Sequence, residues 1–153
     1  ITGDGGLLGP EHASALNELG YNVIMIDNDK ISLNNKFNKI NKNKRHKTKI
    51  LKYFCDISNE EEVNKVSLDL KKKKLFVDVL INNADLNPKM KKYKNNFSGR
   101  VEDYSIENLK NEISVGIVGS FICSKTFGEH MKIKKKGSII NVSSDLGITA
   151  PDG

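Results

Sequence analysis

Ile1-Thr2-Gly3-Asp4-Gly5-Gly6-Leu7-Leu8-Gly9-Pro10 places four glycines within seven residues, after the stub of an apolar run and before a helical pattern. Glycine is needed where backbone turns tightly or approaches a ligand closely. A helix that starts directly after such a turn points its free N–H groups and its positive dipole end at whatever lies there. That geometry holds a phosphate or pyrophosphate. The spacing departs from G-x-G-x-x-G, because Leu8 stands where the third glycine would be. A glycine-rich turn with no ligand is the competing reading.

Working outward, Pro10 suits the first turn of a helix, where its missing N–H costs nothing. That helix is expected to run to about Leu19, with Ala13, Leu16 and Leu19 on one face and Gly20 as its stop. Tyr21 to Ile26 is a short apolar run, as in a buried parallel strand, and Asp27 ends it. Asp27 follows Gly9 at close to the ~20-residue spacing of a carboxylate that takes the adenosine ribose hydroxyls. The same carboxylate would repel a 2′-phosphate, which favours NAD over NADP. Standing alone, Asp27 would read as a turn residue at a strand end.

The alternation continues. A helix is expected near Ile31 to Ile40, and Ile50 to Cys55 reads as a strand with Asp56-Ile57 directly behind it. Ser58 with Glu61 reads as a capping box for a helix to about Lys74, with Val63, Val66, Leu68 and Leu70 mostly inward. Leu75 to Ile81 is a further strand, ended by Asn82-Asn83-Ala84-Asp85. A polar loop over 86–104 contains Pro88 and Gly99. Ser105 then caps a long helix to about Lys132. Its Ile106, Leu109, Ile113, Ile117 and Phe121 read mostly as core and in part as a subunit interface. Ile122 and Phe127 broaden that apolar face. Gly137 ends the segment, and Ser138 to Ser144 is the last strand. Strands alternating with helices at this spacing predict one α/β domain over 1–153, a doubly wound parallel sheet flanked by helices. Ligands bind at the carboxyl-terminal edge of such sheets. The glycine loop, Asp27, Asp56 and Asn82 to Ala84 all fall at that edge.

The 153 residues are 37% apolar and 29% charged, with a net charge of +6. No apolar run approaches the ~20 residues of a membrane span. Cys55 and Cys123 each sit in an apolar pattern outside any C-x-x-C pair, as reduced core residues of a cytoplasmic protein would. His12, His46 and His130 lack metal-ligand spacing, so no metal site is expected. The lysine runs (Lys39 to Lys49, Lys71 to Lys74, Lys89 to Lys94, Lys132 to Lys136) are scattered, little interleaved with aromatics and separated by acidic residues. They complement helix ends, and no nucleic-acid partner is expected.

The ordered set resembles the short-chain dehydrogenase/reductase family. Thr2 to Gly9 is similar to its Thr-Gly-x-x-x-Gly-x-Gly loop, with Leu7 in place of the middle glycine. Asp27, Cys55-Asp56-Ile57, Asn82-Asn83-Ala84 and Asn141-Val142-Ser143-Ser144 follow in the family's order. The wording around Gly3 to His12 and after Ser143 also resembles the flagellin-modification or surface-sugar branch. The resemblance implies a Rossmann-type fold and an NAD(P)-dependent oxidoreductase. It would move a hydride between nicotinamide and an alcohol or ketone, on a small, sugar-type substrate. It also implies a homo-oligomer, dimer or tetramer. Gly3, Gly5, Gly6, Leu7, Leu8 and Gly9 would line the pyrophosphate and adenosine ribose, and Asp27 would hold the ribose hydroxyls. Asp56 would accept from the adenine amino group, with Ile57 packed on the ring. Asn83 and Ala84 would flank the adenine-side ribose. Ser144 would be the catalytic serine that donates to the substrate oxygen.

Three departures stand out. Leu7 replaces a loop glycine. Gly116 stands where the family has a helix asparagine that anchors a water and the catalytic lysine. The family's Tyr-x-x-x-Lys pair would begin about a dozen residues after Ser144, and the sequence stops first. No other tyrosine stands in for it. The chain also opens almost on the glycine loop. The expectation is a truncated domain that lacks most of the first strand and the carboxyl-terminal catalytic part, unstable and inactive alone. A non-catalytic nucleotide-binding module is the rival reading.

Overall fold

The computed structural model describes residues 1–44, 46–86, 102 and 104–144. Helix α1 (Leu8–Glu18) leads to strand β1 (Val23–Asp27), then α2 (Lys30–Lys42), β2 (Ile50–Phe54), α3 (Glu60–Lys72) and β3 (Val79–Asn82). After these come α4 (Ile106–Ile113), a π-helical segment (Ser114–Gly119), α5 (Ser120–Lys134) and β4 (Ser138–Asn141). The loop through Pro88 and Gly99 and the stretch after Ser144 lie outside the described residues.

β1 pairs in parallel with β2, and β3 in parallel with β4. Residues 1–3 join the two pairs. Thr2 bridges Ile26 in parallel, and the Thr2 N–H donates to Ile81 O at 3.0 Å. On the other side the Gly3 N–H donates to Ile26 O at 2.9 Å, and the Ile26 N–H to Ile1 O at 3.1 Å. The order is therefore β2, β1, the Ile1–Gly3 segment, β3, β4. This is the doubly wound parallel arrangement expected from the alternation. Between β1 and β3, on the side of Ile1 away from the glycine loop, lies a cavity of about 260 Å³ lined by Ile1, Ile24, Leu51, Val79, Leu80 and Phe127, among others.

Both faces are covered at β1 and β3, which is why β1 reads as a continuous apolar run, whereas β4 is exposed along its length. Val23 and Met25 bury against Ala13, Leu33, Ile40 and Ile50 on the α1–α2 side. Ile26 and Leu80 bury against Val63, Val66, Leu70, Ile122 and Phe127 on the α3–α5 side. Cys55 and Cys123 are buried and free, as expected, and burial pushes each thiol up to about 12.

Local chemistry sets most boundaries. Gly20, at φ +87°, ends α1 as expected. Asn59, not Ser58, caps α3, accepting from the Glu61 and Glu62 N–H groups. Glu62 rather than Glu61 reaches back, taking the Asp56 N–H at 2.8 Å. Lys135, left-handed at φ +52°, ends α5 two residues before Gly137. Leu68 and Leu19 are exposed, not inward.

The long helix departs most from expectation. Ile106, Leu109, Ile113, Ile117 and Phe121 are exposed, and the core is made by Ile122, Cys123, Phe127 and Met131. The turn from Ser114 to Gly119 is π-helical, and its extra residue rotates the helix face between the two halves. α4 buries no residue, so the stripe it carries does not reach the core, which begins with Gly119 and α5.

Candidate functional site: a glycine cradle at the sheet edge

The cradle is built from Thr2 outward. Thr2 is fully buried, and its Oγ1 accepts from the backbone N–H groups of Asn83 and Ala84, each at 3.0 Å. The Asn83 side-chain amide donates to Thr2 O at 3.0 Å. The end of β3 thus grips the start of the loop. Gly3 takes φ +77°, and a Cβ there would lie 2.8 Å from Ala84 Cα. At Gly9 a Cβ would lie 2.5 Å from Gly3 O. These two positions have no room for a side chain, and the close approach lets α1 start directly behind the loop.

Leu7 precedes α1 and supplies no capping side chain. The first-turn N–H groups are therefore left for an external acceptor, which is the setting of an anion site. Leu7 and Leu8 stand exposed beside it. A phosphate fits this cradle at the free N–H groups of the first turn of α1, because no side chain stands at Gly5 or Gly6, whose own N–H groups are taken by Asp27 Oδ2 and Gly3 O.

Asp27 closes the cradle from β1. Its Oδ2 accepts the Gly5 N–H at 2.8 Å and its Oδ1 the Asp29 N–H at 2.7 Å. A carboxylate has about four lone-pair positions, so two hydroxyls can still be accepted. Gly5 is required for this contact, since a Cβ there would lie within 3.0 Å of both Asp27 oxygens.

Asp56 lies farther along the same edge. Its Oδ1 accepts from the Ser58 N–H at 2.9 Å and the Ser58 hydroxyl at 2.7 Å. Ile57 is buried, with its side chain against Gly119 of the helix. What Ile57 can present at the edge is its backbone. Ser144 follows β4 and is exposed. Gly116 faces Asp85, whose Oδ1 would be 3.4 Å from an added Cβ.

Two features were not found from the sequence. The first is the buried amide of Asn82, whose Nδ2 donates to Asn141 Oδ1 at 2.8 Å and to Ser124 Oγ at 3.1 Å. It ties the ends of β3 and β4 to α5 beside the site. The second is Asp4, fully buried under the loop, with its Oδ2 accepting the Ile26 N–H at 3.2 Å. The only signal for either was a polar residue within an otherwise apolar or glycine run.

His130 is a core residue at the opposite end of the sheet. It accepts the Val77 N–H at Nδ1 and meets Ser67 Oγ at Nε2, 2.8 Å away. Tyr53 bonds Asp69, and burial, then Asp69, raises its pKa. Tyr104 bonds Glu112. Neither is set up as a proton-transferring phenol. No helix among the described residues is long and apolar enough to cross a membrane.

A family model described as short chain dehydrogenase matches residues 1–152. An uncharacterized oxidoreductase of Bacillus subtilis (strain 168), YxbG, is 29% identical over 150 residues, covering 98% of this chain and 50% of its own length. An uncharacterized oxidoreductase of Thermotoga maritima is 35% identical over 72 residues, 47% of this chain and 25% of its own. Two solved structures share the fold. An NAD+-bound xylitol dehydrogenase aligns with TM-score 0.81 at 24% identity, over 98% of this chain and 54% of that one. A metagenomic short-chain oxidoreductase in complex with NADP aligns with TM-score 0.80 at 23% identity, over 100% and 63%. The chain thus spans about half the length of YxbG.

Proposed function

The chain belongs to the short-chain dehydrogenase family, and from that premise we propose that it forms the dinucleotide-binding part of an NAD-dependent oxidoreductase. The observation that carries this is the cradle itself: loop glycines that admit no side chain, an uncapped helix start, and the Asp27 carboxylate against Gly5. Gly3, Gly5, Gly6, Leu7, Leu8 and Gly9 would hold the pyrophosphate. Asp27 would take the ribose hydroxyls with its remaining lone pairs. Asp56 and the Ile57 backbone would meet the adenine, and Ala84 would flank the ribose. Asn83 acts through Thr2, by holding the loop in place.

When bound, the nicotinamide supplies a hydride acceptor or donor. The residue of this chain placed nearest that chemistry by motif is Ser144, whose neutral hydroxyl would donate to the substrate oxygen and stabilise charge developing there. An alcohol or ketone, of sugar type, is the substrate class we propose for the whole protein, acting in the cytoplasm as a dimer or tetramer. Gly116 favours a second reading, a non-catalytic nucleotide-binding module, because the helix presents no side chain beside Asp85.

Calorimetric titration with NAD+ and with NADP+ tests the cofactor assignment. NAD+ is expected to bind at least about tenfold more tightly, about 1.4 kcal/mol. Asp27→Asn is expected to narrow that gap by removing the charge that opposes a 2′-phosphate. Equal affinity for both cofactors in the unaltered chain would overturn the NAD preference.

A further inference from the structure

We propose that Asp4 couples binding of the dinucleotide to uptake of a proton, so that affinity falls as pH rises through neutrality. This rests on the reading that the Gly3 to Gly9 loop holds the pyrophosphate.

Asp4 lies within the loop itself, between Gly3 and Gly5. It is fully buried, and only its Oδ2 is engaged, by the Ile26 N–H at 3.2 Å. Its Oδ1 is buried with no hydrogen-bond partner among the described residues. A buried carboxylate with one unsatisfied oxygen is strongly disfavoured in its charged form. The surroundings add opposing influences. From β1 the Asp27 carboxylate faces it and disfavours a second negative charge. Also from β1, the Ile26 N–H bonded to Oδ2 favours the charge. From α1 the contact is Gly9, where an added Cβ would lie 2.9 Å from Asp4 Cα, so no side chain enters at that point. Burial outweighs the attraction and raises the Asp4 pKa to about 7. Both protonation forms are therefore populated near neutrality in the free protein.

The next two residues are Gly5 and Gly6, whose backbone would meet the pyrophosphate. A bound diphosphate brings further negative charge against a group already beside Asp27. The protonated form of Asp4 then binds more tightly, and by reciprocity binding raises the Asp4 pKa. The sign follows. Well below the free-state pKa Asp4 is protonated throughout, and affinity does not depend on it. Through and above about 7 a proton must be taken from solvent to reach the tight-binding form, so affinity weakens with rising pH. Replacing Asp4 with asparagine keeps an acceptor for Ile26, supplies a neutral group permanently and removes the dependence.

Calorimetric titration of NAD+ into the chain at about pH 7.5, in two buffers of different ionisation enthalpy, counts the protons taken up. The expected result is uptake of about half a proton or more in the unaltered chain, none in Asp4→Asn, and an affinity loss of at least about threefold between about pH 6 and pH 8.5 that the variant lacks. Binding without proton uptake, or uptake that survives in Asp4→Asn, would overturn the proposal. The absence of saturable binding in either protein at about pH 6 would instead defeat the dinucleotide reading on which it rests. Should the variant fail to fold, a carbon-13 titration of the Asp4 carboxyl in the unaltered chain decides the matter. A midpoint near neutrality that moves up with NAD+ supports it, and an ordinary carboxylate midpoint overturns it.

Discussion

Gly9→Ala adds a single methyl group at the tightest point of the cradle. The new Cβ would lie 2.5 Å from Gly3 O and 2.9 Å from Asp4 Cα, where ordinary contact begins at 3.4 Å. Both neighbours are backbone, so no side chain can swing away. The start of α1 must move back from the loop by nearly 1 Å. Overpacking of this kind costs about 1–3 kcal/mol. Against it stands the helix preference of alanine over glycine, about 1 kcal/mol in a helix interior and less in the first turn, where Gly9 sits. The steric cost wins. Gly128→Ala is the internal control. Gly128 lies within α5, and nothing is found within 4 Å of its added Cβ. There the helix preference acts alone and stabilises by about 0.5–1 kcal/mol. Urea unfolding followed by far-ultraviolet circular dichroism measures both, with midpoints read at unchanged slope. We expect Gly9→Ala to fall below the unaltered chain by about 1–2 kcal/mol and to lose at least about tenfold in NAD+ affinity, and Gly128→Ala to rise above it. A Gly9→Ala chain as stable as the original and binding NAD+ equally well would refute the close-packing account of the loop.

Three further outcomes follow from the same packing. His130 accepts the Val77 N–H, and burial, then the Lys71 ammonium, lowers its pKa from the ordinary value of 6.5. Its contribution is therefore complete above that value and is lost as pH falls through the lower folded-state pKa, so the thermal midpoint should drop on acidification to about pH 5 and drop less in His130→Asn. Asn82→Ala removes the amide that ties Asn141 and Ser124 to β3, but Asn141 is exposed and Asn82 Oδ1 has no partner among the described residues, so the cost in the same urea assay should be about 0.5–1.5 kcal/mol. Phe121, at 68% exposure, should accept Phe121→Lys within about 0.5 kcal/mol in the isolated chain, whereas a loss of 2 kcal/mol or more would place it in the core after all.

The alternation of helices and strands was legible in the sequence because it rests on local rules. Periodicity within each segment, Gly20 as a helix stop and the glycine run before α1 act over a few residues, and they need no partner. The same holds for the loop and for Asp27, whose spacing is that of one helix and one strand. The structure brings these two together through the Gly5 N–H. What the sequence could not show depends on chain segments meeting from far away. Thr2 is held by Asn83 across 81 positions, and nothing near either residue announces it. Asp4 looks like an ordinary loop acid until the sheet closes over it and leaves one oxygen without a partner. The stripe from Ile106 to Phe121 has helical spacing, yet α4 buries none of its residues, and the helix contributes to the core only through α5, with Ile122, Cys123 and Phe127. Local periodicity therefore determined which elements form and where their polar ends gather. Only the packed tertiary structure decided which faces are buried and which acids are charged, because burial and dielectric surroundings are properties of neighbours that the linear order does not place side by side.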